Sequence, residues 1–391
     1  FVVKNPSVWA TAPDYFSFSS MASIAGCMRK WQLEHSTFEN GKPYPKKPHP
    51  KAIEGEIVHE ALEGLFKAVG RAGCPELDTE AFFQVVETID VLKEVEKLLS
   101  ERLAEVAGRP RAGNLRHVNS SQNLRNKVVT LFRGRYDLKG QTGNTHLARA
   151  MMQEPGHIGT GNLLEALKTK KILAEVNITH PKLPFKGIID LIDYSNAGVR
   201  VNDFKTGAPH TSHKDQLMAY ALLFWRHTGV CPVSVHAQYL AQQQEWPCSP
   251  SELEQVEKHL EKQILAMRQS LQKIPATASP GEVCIWCQVR QLCPEYWEFR
   301  ANPHFIKLWK EKKNREDVDL QGELLTAPTE GGCEIRVFQT CDLPLLWDSR
   351  DQHVFGPLAK GKKIRILGAR FDGSGRNIRL FPWSEVFRLN N

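Results

Sequence analysis

Asp190 and the run Asp203-Phe204-Lys205 have the residue types and spacing that phosphodiester hydrolysis requires. That reaction needs charge neutralisation and a water made nucleophilic near neutral pH. Carboxylate oxygens suit Mg²⁺, which takes few protein ligands and keeps several waters. A lysine beside them can orient the attacking water and stabilise developing charge. The pattern Asp-x12-Asp-x-Lys supplies this set. An ordinary edge hairpin with solvated Asp and Lys would show the same three residues, so the surrounding elements decide between the two.

Those elements are legible. Gly187 to Asp193 is an apolar run interrupted by Asp190, and Ser195-Asn196-Ala197-Gly198 has turn chemistry. Val199 and Val201 then alternate into Asp203. The pattern predicts two strands joined by a turn, with Asp203 and Lys205 on one face and Asp190 across from them. Ala174 to Ile178 reads as another strand, whose Glu175 could join the cluster. His213 to His227 has helical periodicity, and Gln216 and Tyr220, four apart, share a face. Gly55 to Phe66 reads as an amphipathic helix bearing His59. A lone helical histidine is more often a surface or core residue than a ligand.

In chain order the motifs are Gly-x3-His59, Glu175, Gly187-x2-Asp190, Asp203-Phe-Lys-Thr-Gly207 and Gln216-x3-Tyr220. Together they resemble the RecB-like branch of the PD-(D/E)XK nucleases, which includes CRISPR-associated RecB-like exonucleases and AddB-type nuclease domains. The resemblance covers about Phe18 to Trp297 apart from an insert, with Ile189 where the superfamily name has Pro. It implies an α/β fold, a restriction-endonuclease-like mixed central sheet flanked by helices. It implies Mg²⁺ or Mn²⁺ bound by His59, Asp190 and Asp203, with Glu175 as a supporting acid. Lys205 would position the nucleophile, and Gln216 and Tyr220 would contact the nucleic-acid backbone near the scissile phosphate. The implied substrate is DNA, single-stranded or at ends, in phage defence or in repair and recombination, with a helicase or such a complex as partner. A catalytically silent nucleic-acid-binding or scaffold subunit is the alternative; the intact Asp190, Asp203 and Lys205 argue against it.

There are nine cysteines, and no signal-peptide pattern or membrane-length apolar run accompanies them. An intracellular protein without membrane contact is therefore expected, and the odd count argues against a disulfide framework. Cys284-x2-Cys287-x5-Cys293 with the distant Cys27 can form a tetrahedral sulfur site, which suits either zinc or a [4Fe–4S] cluster. Iron–sulfur members of the RecB-like family have one Cys before the nuclease core and Cys-x2-Cys-x5-Cys after it. The resemblance thus implies [4Fe–4S], with zinc as the alternative, in a structural role that ties the ends of the domain together.

At 391 residues the chain is long enough for two domains, and 41% hydrophobic content supports a folded core. Its first residue is Phe, so the chain is expected to start inside a longer protein. The net charge of +7 points to a polyanionic partner. Val106 to Tyr136 has no Asp or Glu and carries Arg109, Arg111, Arg116, Arg125, Arg133 and Arg135. This stretch lies in a helical insert spanning about 76–170, between two catalytic elements, and is expected to line the nucleic-acid path. Phe82 to Val106 is the most periodic part of that insert. Ser249-Pro250-Ser251-Glu252 signals a helix start with a capping box, and that helix is expected to run to about Lys273. The expected organisation is a nuclease domain over 1–300, a linker over 301–330 and a small basic β domain over 331–391. The last has alternating runs at Glu334–Gln339, Lys363–Ala369 and Asn377–Phe381 with a turn at Asp372-Gly373. Its interleaved basic and aromatic residues suit an OB-like barrel. Gly356 to Lys363 nearly fits a phosphate-binding loop but lacks the final Ser or Thr, so no ATP motor is expected.

Overall fold

The alternating runs around Asp190 and Asp203 fold as a hairpin at the heart of a five-stranded sheet. The computed structural model describes residues 2–72, 80–109, 111–112, 118–140, 163–195, 197–300, 318–337, 341–348, 358–372, 376–381 and 383–389. Strand β1 (Val2–Val3) is followed by helices α1 (Phe18–Gly26), α2 (Met28–His35) and α3 (Pro50–Arg71). The insert contributes α4 (Glu80–Ile89), α5 (Val91–Ala107) and α6 (Ser121–Gly140), and α7 (Leu163–Lys170) leads out of it. The periodic stretch Phe82 to Val106 spans two helices. Asp90, at φ 42°, breaks it and caps α5 by accepting from the Lys93 amide.

The sheet runs β2 (Ile172–Thr179), β3 (Lys186–Ser195), β4 (Gly198–Lys205), β5 (Ser234–Tyr239) and β6 (Gln243–Pro247), in that spatial order. All its neighbours are antiparallel except β4 and β5, which α8 (Ser212–Thr228) joins by a crossover. The sheet is therefore mixed and flanked by helices, as expected. On one face Val199 and Val201 pack with α8 and with α9 (Pro250–Ser270). On the other, Phe204 and Leu191 pack against α3, α5 and α6. Ser249 caps α9 by accepting the Glu252 amide and donates its hydroxyl to the Glu252 carboxylate. The helix stops at Ser270, short of the expected Lys273. After the cysteine loop comes α10 (Pro294–Arg300).

The C-terminal part is a small barrel formed by β7 (Val318–Leu324), β8 (Gly332–Val337), β9 (Cys341–Leu346), β10 (Lys363–Phe371), β11 (Ile378–Arg379) and β12 (Glu385–Leu389). The order β7-β8-β9-β11-β10 closes back on β7. Two corrections to the expected organisation follow. Strand β7 lies inside the expected 301–330 linker, and Val2–Val3 pairs with β12, so the start of the chain belongs to the C-terminal sheet. Strand β7 was masked in sequence by its acids, one of which, Asp319, is buried. It accepts from Arg290, from the Tyr296 hydroxyl at 2.7 Å and from the Gly368 amide at 3.0 Å. Apolar contacts of Leu33, Phe38, Tyr44, Leu292 and Trp297 with Leu367 and Phe387 complete the dock. Gly356, Pro357 and Gly373 of the near phosphate loop and the predicted turn lie outside the described residues.

Candidate active site

Strand pairing explains how the acids meet. The β3–β4 register pairs Leu191 with Asn202, so one step further puts Asp190 opposite Asp203. On the other side, Ala174 pairs with Leu191 and Val176 with Ile189, which places Glu175 opposite Asp190. Glu175 sits at φ 52°. A non-glycine residue there costs on the order of 1–3 kcal/mol and persists where the surroundings hold it. Helix α3 delivers His59 from above, 3.4 Å from Asp190 Oδ2 through its Nδ1. Ligand atoms of His59, Glu175 and Asp190 all lie within 4.8 Å of one another. Asp203, expected with His59 and Asp190, is not one of these three: its Oδ2 lies 2.7 Å from Lys205 Nζ. Glu175 takes the third place, one that sequence gave only a supporting role.

The lysine is held on both sides. Lys205 Nζ donates to Gln216 Oε1 at 2.9 Å, and Gln216 Nε2 donates to the Tyr220 hydroxyl at 2.8 Å. The pair Gln216 and Tyr220, four apart on α8, thus forms a rail under Lys205. Gly187 makes room for it: a Cβ there would lie 2.7 Å from Tyr220 Cε1. Gly187→Ala is expected to push the ring aside and lower cleavage while the circular dichroism stays native. Unchanged turnover would show that the ring's position is not needed. His213, one turn before Gln216, was missed by sequence reasoning; its Nδ1 lies 2.8 Å from the Tyr239 hydroxyl. The signal available was its i, i+3 spacing from Gln216 on the same helix face.

The electrostatics are those of a cation site. Burial, reinforced by the charge of Asp203, holds the Asp190 carboxyl well above the usual carboxylate range. Burial and the charge of Glu63 push Glu175 up to about 7. Burial lowers His59, favouring the neutral imidazole that ligates metals. Asp203 Oδ2 is buried and accepts no directed hydrogen bond, its lysine contact being an ion pair only. Crowded, desolvated acids are stabilised by a divalent cation, which inverts the local proton preference. The donor set therefore fits a divalent cation. The sign is testable. Glu175 titrates at about 7 in the fold against an ordinary 4.5, so the metal-free fold is stabilised by this group below 4.5 and loses that contribution as pH rises to about 7. Added Mn²⁺ should then raise Tm more and more across that window. A pH-independent increment would contradict this assignment.

Residues 15–294 match the family model of the PD-(D/E)XK nuclease superfamily. The chain belongs to that superfamily. Its members are phosphodiester-hydrolysing nucleases that use divalent metals, and the His59, Glu175 and Asp190 group lies within the matched span. No curated protein matches the chain. No helix among the described residues is long and apolar enough to cross a membrane.

This PD-(D/E)XK protein also gathers its four spaced cysteines. Cys27, Cys284, Cys287 and Cys293 all line one pocket together with Arg29, Lys30 and Arg290. The Gly281 amide donates to Cys284 Sγ at 3.5 Å, and burial pushes the Cys287 and Cys293 thiols up to about 12. Cys231, Cys248, Cys333 and Cys341 are free thiols elsewhere.

The expected basic path in the insert is corrected in part. Arg111 is 3% exposed. Its guanidinium donates to Glu385 Oε1 at 2.6 Å and to the carbonyls of Pro45 and Gln288 at 3.0 and 2.7 Å. It fastens the insert to the barrel. Arg109 pairs with Glu105 on the surface. Arg125 and Arg133 line a cleft between α3, α4, α5 and α6, with Glu87 and Asp90 on its wall. Arg116 and the side chain of Arg135 lie outside the described residues.

Proposed function

We propose that this nuclease is a Mg²⁺- or Mn²⁺-dependent deoxyribonuclease acting on single-stranded DNA or DNA ends, in phage defence or in DNA repair and recombination. The observation that carries the reading is the placement of His59, Glu175 and Asp190 beside an ammonium group that Asp203 and Gln216 hold in place. A divalent cation held by His59, Glu175 and Asp190, with Asp203 adjacent, would offset phosphate charge and acidify a water. The residues supply the rest. Lys205 Nζ can donate a hydrogen bond to the attacking oxygen or to developing phosphate charge. Tyr220, pushed up to about 12 chiefly by burial, stays protonated and can donate to a backbone phosphate. The insert helices packed beside α3 support restricted access, and Arg125 and Arg133 support a polyanion nearby. Cleavage of end-labelled linear single strands, circular single strands and blunt duplex tests the substrate. Efficient cutting inside duplex, with single strands spared, would remove the single-strand reading.

For the cysteine pocket the favoured occupant is a [4Fe–4S] cluster. One distant cysteine and the Cys284-x2-Cys287-x5-Cys293 run, brought to one pocket, support that reading. Anaerobically purified protein should carry about four iron and four sulfide per chain, lost in Cys293→Ser; stoichiometric zinc would reassign the site. In the barrel, the closed five-strand order with β9 and β11 parallel supports the OB-like reading.

A further inference from the structure

The cysteine loop presents its apolar residues outward. Cys284 and Cys287 are buried, but between them Ile285 is 64% and Trp286 70% exposed, with Val283 at 44% beside them. An exposed tryptophan on a pinned 3-10 turn (Glu282–Trp286) is costly unless something covers it. The surroundings say what kind of partner that is. The Trp286 ring lies 6.5 Å from the His49 ring, immediately before α3. His49 belongs to a stretch from Gly41 to Ile53 that has four lysines and no acid. Lys47 is taken by Glu385, whereas Lys46 and Lys51 are exposed. Pro43, Pro45, Pro48 and Pro50 punctuate the stretch, and each fixes φ and limits its flexibility.

The route from there to the acids is short. Lys51, Gly55 and His59 follow one another at i, i+4 and i+8 along α3. Gly55 leaves the middle of that stripe bare, its nearest side-chain neighbour being Thr206 Oγ1 at 3.9 Å from a built Cβ. His49 and His59 are separated by a rise of about 15 Å, a few nucleotides of an extended strand.

We propose that Trp286 is a stacking platform for one base of the bound single strand, a few nucleotides from the cut, with Lys46 and Lys51 taking the intervening phosphates. This rests on the single-strand reading above and names where that strand leaves the site. Aromatic faces beside lysines are how proteins bind single strands without reading sequence.

The test uses the full chain in an Asp203→Ala background, so that the strand survives, and fluorescein-labelled oligo-dT of increasing length. Anisotropy should show Trp286→Ala binding long strands about 10-fold more weakly, with Trp286→Phe restoring much of the loss. The effect should vanish on strands too short to reach from His59 to Trp286. Lys46→Ala and Lys51→Ala should each reduce the salt slope by about 1. An unchanged Kd for Trp286→Ala on long strands, with wild type binding them, overturns this inference alone and leaves the patch to a protein partner. If wild type binds no single strand, the single-strand reading itself fails and this inference with it.

Discussion

Lys205→Ala is expected to lower the cleavage rate by on the order of 10³-fold, the scale for removing one preorganised transition-state donor. Lys205 sits between Asp203 and Gln216, so its ammonium is aimed before substrate arrives. The loss should fall on kcat with little change in KM, because the donor acts where charge develops. The metal-free fold should lose stability, because the buried Asp203 carboxylate is left without its ion pair, and bound Mn²⁺ should restore it. Cation binding should tighten for the same reason. A thermal shift with Mn²⁺ at least as large as that of wild type, together with lost turnover, would separate a catalytic lysine from a structural one. Turnover within a few fold of wild type would remove Lys205 from the mechanism.

The largest stability effect is expected at Arg111. Breaking a buried ion pair by removing one partner costs about 3–5 kcal/mol, because the remaining charge is stranded. Arg111→Ala would leave the buried Glu385 with Lys47 at 2.9 Å as its remaining cation and would orphan the carbonyls of Pro45 and Gln288. Four separate parts of the chain meet at this guanidinium, so the barrel should loosen from the nuclease core. Urea denaturation should show the loss, and replacing both partners by Arg111→Met with Glu385→Leu should recover most of it. A DNA-contacting arginine would behave differently: stability would change by less than about 1 kcal/mol and binding would weaken.

These two residues also mark what the sequence could disclose. Lys205, Asp203 and Asp190 were legible because a strand, a turn and a strand are local and the side-chain period is two. Gln216 and Tyr220 were legible from a helical spacing of four. Residue types alone understate Glu175, because its place depends on strand register and a left-handed backbone, which they do not announce. In sequence Arg111 looks like a nucleic-acid contact, because its partner lies 274 residues away. The four cysteines were readable from spacing, whereas the exposure of Trp286 between two of them was not. Strand β7 hid behind its charges: Asp319 looks solvent-bound until Arg290 and Tyr296 are seen to satisfy it.

The central claim is a metal-dependent nuclease whose chemistry depends on Asp203. Its most direct test is cleavage of end-labelled single-stranded DNA with Mg²⁺, Mn²⁺ or EDTA, running wild type beside Asp203→Ala. The account predicts cutting with Mg²⁺ or Mn²⁺, none with EDTA and none by the variant. Cutting in EDTA, or equal cutting by the variant, would contradict it. So would DNA that is bound by wild type but never cut under any condition, the behaviour of a silent binding subunit.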